Sequence, residues 1–202
     1  LGDLVEAWIG DDDPNPYYAQ MRSAIRELSD SGVPVFFMHG NRDFMIGRQF
    51  AAEAGITLLD DPHPLQLHGE NVLFSHGDAL CTDDVEYQQV RAMTRNPDWQ
   101  AMMLSKSVEE RIAFAAQARE QSLARGESMS NEIADVNQGA VEQLLRDSGA
   151  DILLHGHTHR PAVHPFHVDD RPVHRIVLGD WYEQGSMVEW DGDGPRLEEL
   201  PR

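Results

Sequence analysis

With 202 residues the chain can bury one substantial core and is too short for two large ones. Its 16 lysines and arginines against 35 aspartates and glutamates give a formal charge of -19, which excludes a nucleic-acid binder working through bulk electrostatics and a generally basic membrane-surface protein. The single cysteine, Cys81, excludes an internal disulfide framework and fits a reducing compartment; with no apolar run near the ~18 residues that span a bilayer and no secretory signal, the expected location is the cytoplasm.

In chain order, Leu1-Gly2-Asp3 reads as the close of a strand whose earlier residues precede this sequence. On turn chemistry alone Asp3 is a turn or capping residue, and its weight comes from the motifs further along the chain. Trp8-Ile9-Gly10-Asp11-Asp12-Asp13-Pro14 is an acidic loop, its aspartates solvated or starting a helix. Residues 17–31 carry Met21, Ile25 and Leu28 at helical spacing and stop at Gly32, which predicts an amphipathic helix. Residues 33–38 form a buried strand that runs into His39-Gly40-Asn41-Arg42-Asp43, where Asn41 either caps a helix or offers its amide oxygen to a metal. A short helix over 44–55 comes next. Residues 65–68 and 71–75 make a hairpin around Gly69 and end in Ser75-His76-Gly77-Asp78.

From 83 to 137 the strand pattern gives way to helices. Ser107-Val108-Glu109-Glu110 is a capping box, and Gly126 is the expected stop of the helix it begins. Residues 91–125 hold six bases and four acids, so this stretch is mildly basic in an acidic chain. Its Trp99, Met102, Met103, Leu104, Ile112 and Phe114 either pack into a core or form a lid that touches an acyl chain or an anionic bilayer. In the second case Arg91, Arg95 and Arg111 are the charges expected to meet the bilayer. A helix over 131–148, apolar at Ile133, Val136, Ala140, Val141, Leu144 and Leu145, stops at Gly149.

The apolar run 152–154 then delivers His155-Gly156-His157-Thr158-His159-Arg160-Pro161. Alternate imidazoles at a strand end point the same way, and the glycine lets the backbone bend so that two rings converge on one centre. Any one of these histidines alone is an ordinary surface or core residue; the pattern suits a metal site. Residues 175–179 and 186–190 close the chain as antiparallel strands, with a turn over 191–194. Four successive tips therefore supply Asp3, Asn41, His76 and the pair His157 and His159. A carboxylate bridge with nitrogen and amide ligands is what a pair of ions about 3.5–4 Å apart needs to activate water for in-line attack on phosphorus. The absence of a thiolate favours manganese, iron or zinc.

In that order, Gly2-Asp3, Gly40-Asn41-Arg42-Asp43, His76-Gly77-Asp78 and Gly156-His157-Thr158-His159 resemble the motifs of the calcineurin-like metallophosphoesterases. More narrowly, Glu6-Ala7-Trp8-Ile9-Gly10-Asp11-Asp12-Asp13, His39-Gly40-Asn41-Arg42-Asp43, Cys81-Thr82-Asp83-Asp84 after His76-Gly77-Asp78, Asp135-Val136-Asn137-Gln138 and the turn from His155 to Pro161 resemble the UDP-2,3-diacylglucosamine hydrolases, the pyrophosphatases of lipid A synthesis.

The resemblance implies an α/β fold, a four-layer α-β-β-α sandwich of two mixed sheets, in one domain over 1–202 with a helical cap insertion over about 84–130 that covers the acyl chains. It implies two manganese ions, with Asp3 bridging both, Asn41, His76 and His157 on one and His159 on the other. Water would be added at the α-phosphorus of UDP-2,3-diacylglucosamine, giving UMP and 2,3-diacylglucosamine 1-phosphate. Asp3, Asn41, Arg42 and His157 take the catalytic roles, and Asn41, Arg42, Asp84, Ser122 and His157 match positions that contact substrate. A monomer, peripheral on the cytoplasmic face of the inner membrane through its cap, is the implied state. The family's Asp-x-His strand is expected upstream of Leu1, roughly the ~30 residues of a βαβ unit, so one ion site is incomplete in this chain. Later cap contacts, an amide and a lysine in the family, fall on Gly126 and Met129.

Arg42 stands where many metallophosphoesterases carry a histidine that protonates an alkoxide. A departing phosphate monoester, with a second pKa near 6, needs charge neutralisation more than a proton, and a fixed guanidinium supplies it. Two alternatives stay open: another nucleotide pyrophosphatase or phosphodiesterase of the same fold, and a noncatalytic protein that binds a lipid-linked nucleotide.

Overall fold

The side chains of Ile152, Leu153 and Leu154 are all buried, so their uninterrupted apolar run belongs to a strand covered on both faces. The computed structural model describes residues 1–128, 133, 135–182 and 185–201. Its elements are α1 (Pro16–Asp30), β1 (Val35–Met38), α2 (Arg48–Ala54), β2 (Ile56–Leu59), β3 (His63–Leu67), β4 (Glu70–Ser75), α3 (Val85–Thr94), α4 (Pro97–Leu104), α5 (Val108–Ser128), α6 (Gln138–Ser148), β5 (Ile152–His155), β6 (Ala162–Val168), β7 (Arg171–Val177), β8 (Gly185–Asp191) and β9 (Gly194–Leu200), with a 3-10 turn at Asp78–Leu80. The expected α/β class is what these elements form, but in place of the two mixed sheets expected there is one, of five strands, with β1-β2 a parallel pair and β8-β9 an antiparallel one. They separate into two compact units, one of Leu1, Asp61–Asp84 and Glu132–Arg202, the other of Gly2–Asp60 and Val85–Asn131.

The first unit is built on a five-stranded mixed sheet in the order β3-β4-β5-β7-β6. β4, β5 and β7 run parallel, and the antiparallel strands β3 and β6 flank them. One apolar cluster joins Leu73, Leu153 and Val173 to Val141 and Leu145 of α6; another gathers Val72, Ile152, Leu154 and Ile176 with Leu1, Val188 and Trp190. The expected hairpin over 65–75 is β3-β4, and the expected turn over 191–194 joins β8 to β9. β6 was not expected, because Pro165 and alternating polar residues hide it; it pairs with β7 alone, at the sheet edge where a proline removes no needed donor. The helix read over 131–148 begins at Gln138, since Asn137 caps it by accepting from Ala140 N at 3.0 Å, and Ile133 is an exposed turn residue. Gly149, with φ 68°, closes the helix as expected.

The second unit pairs β1 with β2 in parallel through α2, and its core joins Trp8, Met45, Ile46, Phe50 and Met103. β2 starts directly after the left-handed cap Gly55, a four-residue strand too short to read as one in advance. The buried strand read over 33–38 is shorter and half covered: Val33 is outside β1, and Phe36 is exposed while Met38 is buried. Residues 1–3 are not part of a strand, and Gly2 and Asp3 take positive φ. Ser107 and Glu110 exchange the two hydrogen bonds of the capping box that starts α5. Gly126 does not end that helix, which runs to Ser128; a single glycine costs only about 1 kcal/mol in a helix interior.

The acidic loop after Trp8 is partly solvated, as expected, with Asp12 exposed, but it also carries internal ties. Asp11 accepts from Gly47 N and Phe50 N and so caps α2. Asp12 receives both ends of the Arg111 guanidinium, Nη1 at 2.7 Å, while the same Nη1 donates to Ile9 O at 2.6 Å. Arg111 is buried, and its pairing holds the Asp12 carboxyl below the usual range. Arg95 donates to Gly40 O at 2.9 Å and lies over the Phe44 ring. These two arginines serve the interior of their unit, which corrects their expected place at a bilayer. Reversal of Arg111 to glutamate should destabilise the protein by about 3 kcal/mol, since it sets a buried carboxylate against the Ile9 carbonyl and Asp12. Urea unfolding monitored by tryptophan fluorescence measures it.

Candidate active site

In the first unit the tips of β4 and β5 lie side by side, because the strands pair in parallel with Ser75 opposite His155. Gly156 N donates to His76 O at 3.0 Å, tying the tips together where they leave the sheet. His76 is 1% exposed, and its Nδ1 lies 2.8 Å from the Leu1 carbonyl oxygen. A carbonyl only accepts, so Nδ1 is the donor, a tie to the main chain of the kind that orients a metal-binding histidine. Asp61 fixes the approach to this ring by accepting from Ser75 Oγ at 2.7 Å and His76 N at 3.3 Å.

The His157 ring stands 5.1 Å from that of His76, centroid to centroid, with the planes at 66°. His157 and His159 both hold left-handed backbone, φ 64° and 54°, which costs a residue with a Cβ roughly 1–2 kcal/mol each. Thr158 N donates to Gly156 O at 2.7 Å inside the turn. His159 is set apart from the pair by its own neighbours: its Nδ1 is 3.8 Å from Asp180 and its ring 6.2 Å from that of Tyr182.

His155 does not join the pair. It is fully buried, its Nδ1 donates to Gly156 O at 2.9 Å, and its Nε2 lies 3.4 Å from Arg175 Nη1. Burial, helped by the Arg175 charge, pushes its pKa down to about 4. Asp84 is buried beyond the 3-10 turn, in a group of carboxylates with Asp78 and Asp135. Burial, reinforced by that negative charge, pushes the neighbouring Cys81 thiol up to about 12, so it is an inert apolar residue here.

In the second unit Asp3, Asn41 and Arg42 share one loop cluster. Asp3 Oδ1 accepts from Arg42 N at 2.9 Å, and Oδ2 faces Arg42 Nε at 3.5 Å. A Cβ on Gly40 would collide with the Asp3 carboxylate, so this close approach requires glycine. Asp43 is fully buried, accepts from Leu4 N at 2.6 Å and Gly40 N at 2.7 Å, and has its pKa raised by burial and then by the Asp3 charge. Arg42 Nη1 also pairs with Glu6 at 2.8 Å, which holds the guanidinium in place. Asn41 caps no helix: α2 begins after Gly47. Ser122 is exposed on α5. Met129 lies outside the described residues.

Each unit thus presents donors of the expected kind, two facing imidazoles in the first and, in the second, a carboxylate beside a guanidinium on the loop that carries Asn41. Nitrogen and oxygen donors without thiolate suit a hard or borderline divalent ion, so the donor set of each unit is of the chemical kind that such an ion takes. Residues 1–161 match the family model described as calcineurin-like phosphoesterase. The chain belongs to that family. Within the calcineurin-like phosphoesterases it is 49% identical over 209 residues to the UDP-2,3-diacylglucosamine hydrolase of Stenotrophomonas maltophilia, covering all of this chain and 84% of the relative. The hydrolases of the same name from Salmonella paratyphi B and Aeromonas salmonicida are 50% and 49% identical, over 100% and 98% of this chain and 84% and 78% of their own lengths. A solved archaeal phosphodiesterase matches with TM-score 0.40 and 13% identity over 93% of this chain and 96% of its own, too distant a likeness to add to the assignment.

Asp61, Arg175 and Asp180 were not singled out from the sequence, because they reach the histidines through pairings far along the chain; Asp43 and His155 lie inside the quoted motifs but were given no role of their own. The neutral state of His155 has a consequence for stability. With its folded pKa depressed from 6.5 to about 4, its contribution is complete above about pH 6.5 and is lost as the pH falls from there towards 4. The loss should reach about 3 kcal/mol, and a His155→Gln variant should show a flatter dependence over that window in urea unfolding.

Proposed function

We propose that the chain hydrolyses the pyrophosphate of UDP-2,3-diacylglucosamine, adding water at the α-phosphorus to release UMP and 2,3-diacylglucosamine 1-phosphate. The observation that carries this reading is near-half identity, over the whole chain, to proteins named UDP-2,3-diacylglucosamine hydrolase. Asp3, Asn41, His76, His157 and His159 would hold two manganese ions. When bound, such a pair supplies Lewis-acid polarisation of phosphoryl oxygen and a nucleophile derived from water.

The residues of the chain do the rest. Arg42, held by Asp3 and Glu6, meets the negative charge that develops on the departing sugar phosphate. His157 orients the α-phosphate, and Asn41, Asp84 and Ser122 complete the substrate contacts. The stretch over about 84–130 acts as a cap within a single domain, and its exposed Val90, Met93, Met102, Ile112 and Phe114 suit acyl chains. Among the described residues no helix is long and apolar enough to cross a membrane; the reading is of a peripheral protein on the inner face of the inner membrane.

Release of UMP from UDP-2,3-diacylglucosamine should require manganese and fall at least about 100-fold in His157→Ala. UMP formation unchanged by chelation or by that substitution would refute the reading. Arg42→His should lower kcat on the pyrophosphate by about 10-fold or more without creating monoesterase activity; a variant that gains monoester hydrolysis at full pyrophosphatase activity would remove Arg42 from its role.

A further inference from the structure

His157 and His159 can act as ligands only while the turn that carries them keeps its strained shape. Both residues are left-handed, and a turn released at its ends would relax towards commoner backbone and carry the two imidazoles apart. One carboxylate from elsewhere in the chain reaches both ends. Asp135, ahead of α6, accepts from Val136 N at 2.7 Å through Oδ1, which seats the side chain. Its Oδ2 receives Arg160 Nη1 at 3.1 Å, directly after His159. Its Oδ1 lies 3.6 Å from Arg175 Nη1, on β7.

Arg175 carries the same charge on to the beginning of the turn. It is 8% exposed and its Nη1 is 3.4 Å from His155 Nε2. Because His155 Nδ1 donates to Gly156 O, its Nε2 must accept, and the guanidinium is the donor that this tautomer calls for. Gly77 walls the ring on another side: a Cβ there would stand 2.8 Å from His155 Nδ1. The imidazole is therefore locked between Arg175, Gly156 O and the Gly77 backbone, and the turn leaves the sheet from a fixed point.

We infer that Asp135 is a positioning residue which, through Arg160 at one end and Arg175 with His155 at the other, clamps the 155–160 turn and so sets the spacing of His157 and His159 for metal. This rests on the reading of those two histidines as ligands. It differs from a mere contribution to folding, because partners that orient ligating groups typically change metal affinity about 10–100-fold when removed.

The test is manganese binding, by calorimetry and by the electron paramagnetic resonance of free ion, for the protein and its Asp135→Asn and Arg160→Gln variants. Asp135→Asn is expected to weaken manganese about 10–100-fold and to lower kcat, with KM for UDP-2,3-diacylglucosamine within about twofold and kcat recovered at raised manganese. Arg160→Gln, on an accessible arm, keeps the variant set informative where Asp135→Asn fails to fold. It should weaken manganese severalfold, and the double variant should be no worse than Asp135→Asn alone, since both act through one carboxylate. Manganese affinity unchanged in a folded Asp135→Asn protein, or losses that simply add, would overturn the clamp. Nitrogen NMR of the histidine rings in metal-free protein separates the two readings. If the parent protein binds no manganese, the ligand assignment fails; displaced His157 and His159 signals in Asp135→Asn then still uphold the clamp, and unmoved signals reject it.

Discussion

The parallel pairing of β4 with β5 is the constraint on which the histidine cluster of the first unit depends. Register alone puts Ser75 opposite His155, so the next residues of each strand, His76 and Gly156, leave the sheet together and are bonded main chain to main chain. Sliding either strand by one residue would reverse which side chains face the core and would part His76 from the turn. The apolar runs prevent that slip: Val72 and Leu73 pair with Ile152 and Leu153, all buried, on both faces of the sheet. The imidazoles at the tip are thus held in place by hydrophobic burial several residues away.

The polar groups around this tip show a common pattern. His76 is oriented through one nitrogen by the Leu1 carbonyl, its main chain by Asp61, and the next turn by the Asp135 and Arg175 pair. Each tie directs a ring or its main chain, and for His155 burial also favours the neutral imidazole. Strain at His157 and His159 can persist because the ends of their turn are held from outside it.

The second unit solves a different problem with its acids. A chain at -19 gains little from three adjacent aspartates on its surface, yet Asp11, Asp12 and Asp13 each accept from a separate partner: α2, Arg111 and the chain at Asn15. Arg111 spans 99 residues of sequence to reach Asp12, so the loop after Trp8 and the start of α5 are ordered by one bidentate pair. The same unit keeps Asp43 beside Asp3, two carboxylates whose repulsion is offset by backbone donors on Asp43.

The features legible in the sequence were local. The helix over 17–31, the capping box at Ser107, the hairpin around Gly69, the buried run at 152–154 and the four glycine-bearing motifs, three of them at strand tips, all rest on periodicity or turn chemistry within about a dozen residues, and their order along the chain carried the family. The short or proline-bearing strands β2 and β6, the true starts of α2 and α6, and the burial of Arg111 were decided by partners far away. Asp11 begins α2 from 36 residues off, and β7 makes an edge strand of a segment that looks like a loop. The sequence by itself determined which chemical groups this protein carries and at which strand ends, because that information is written in neighbouring residues. Only tertiary structure decided which of those groups are neutral, buried or tied, because solvation and hydrogen bonding depend on what packs against a side chain rather than on what precedes it.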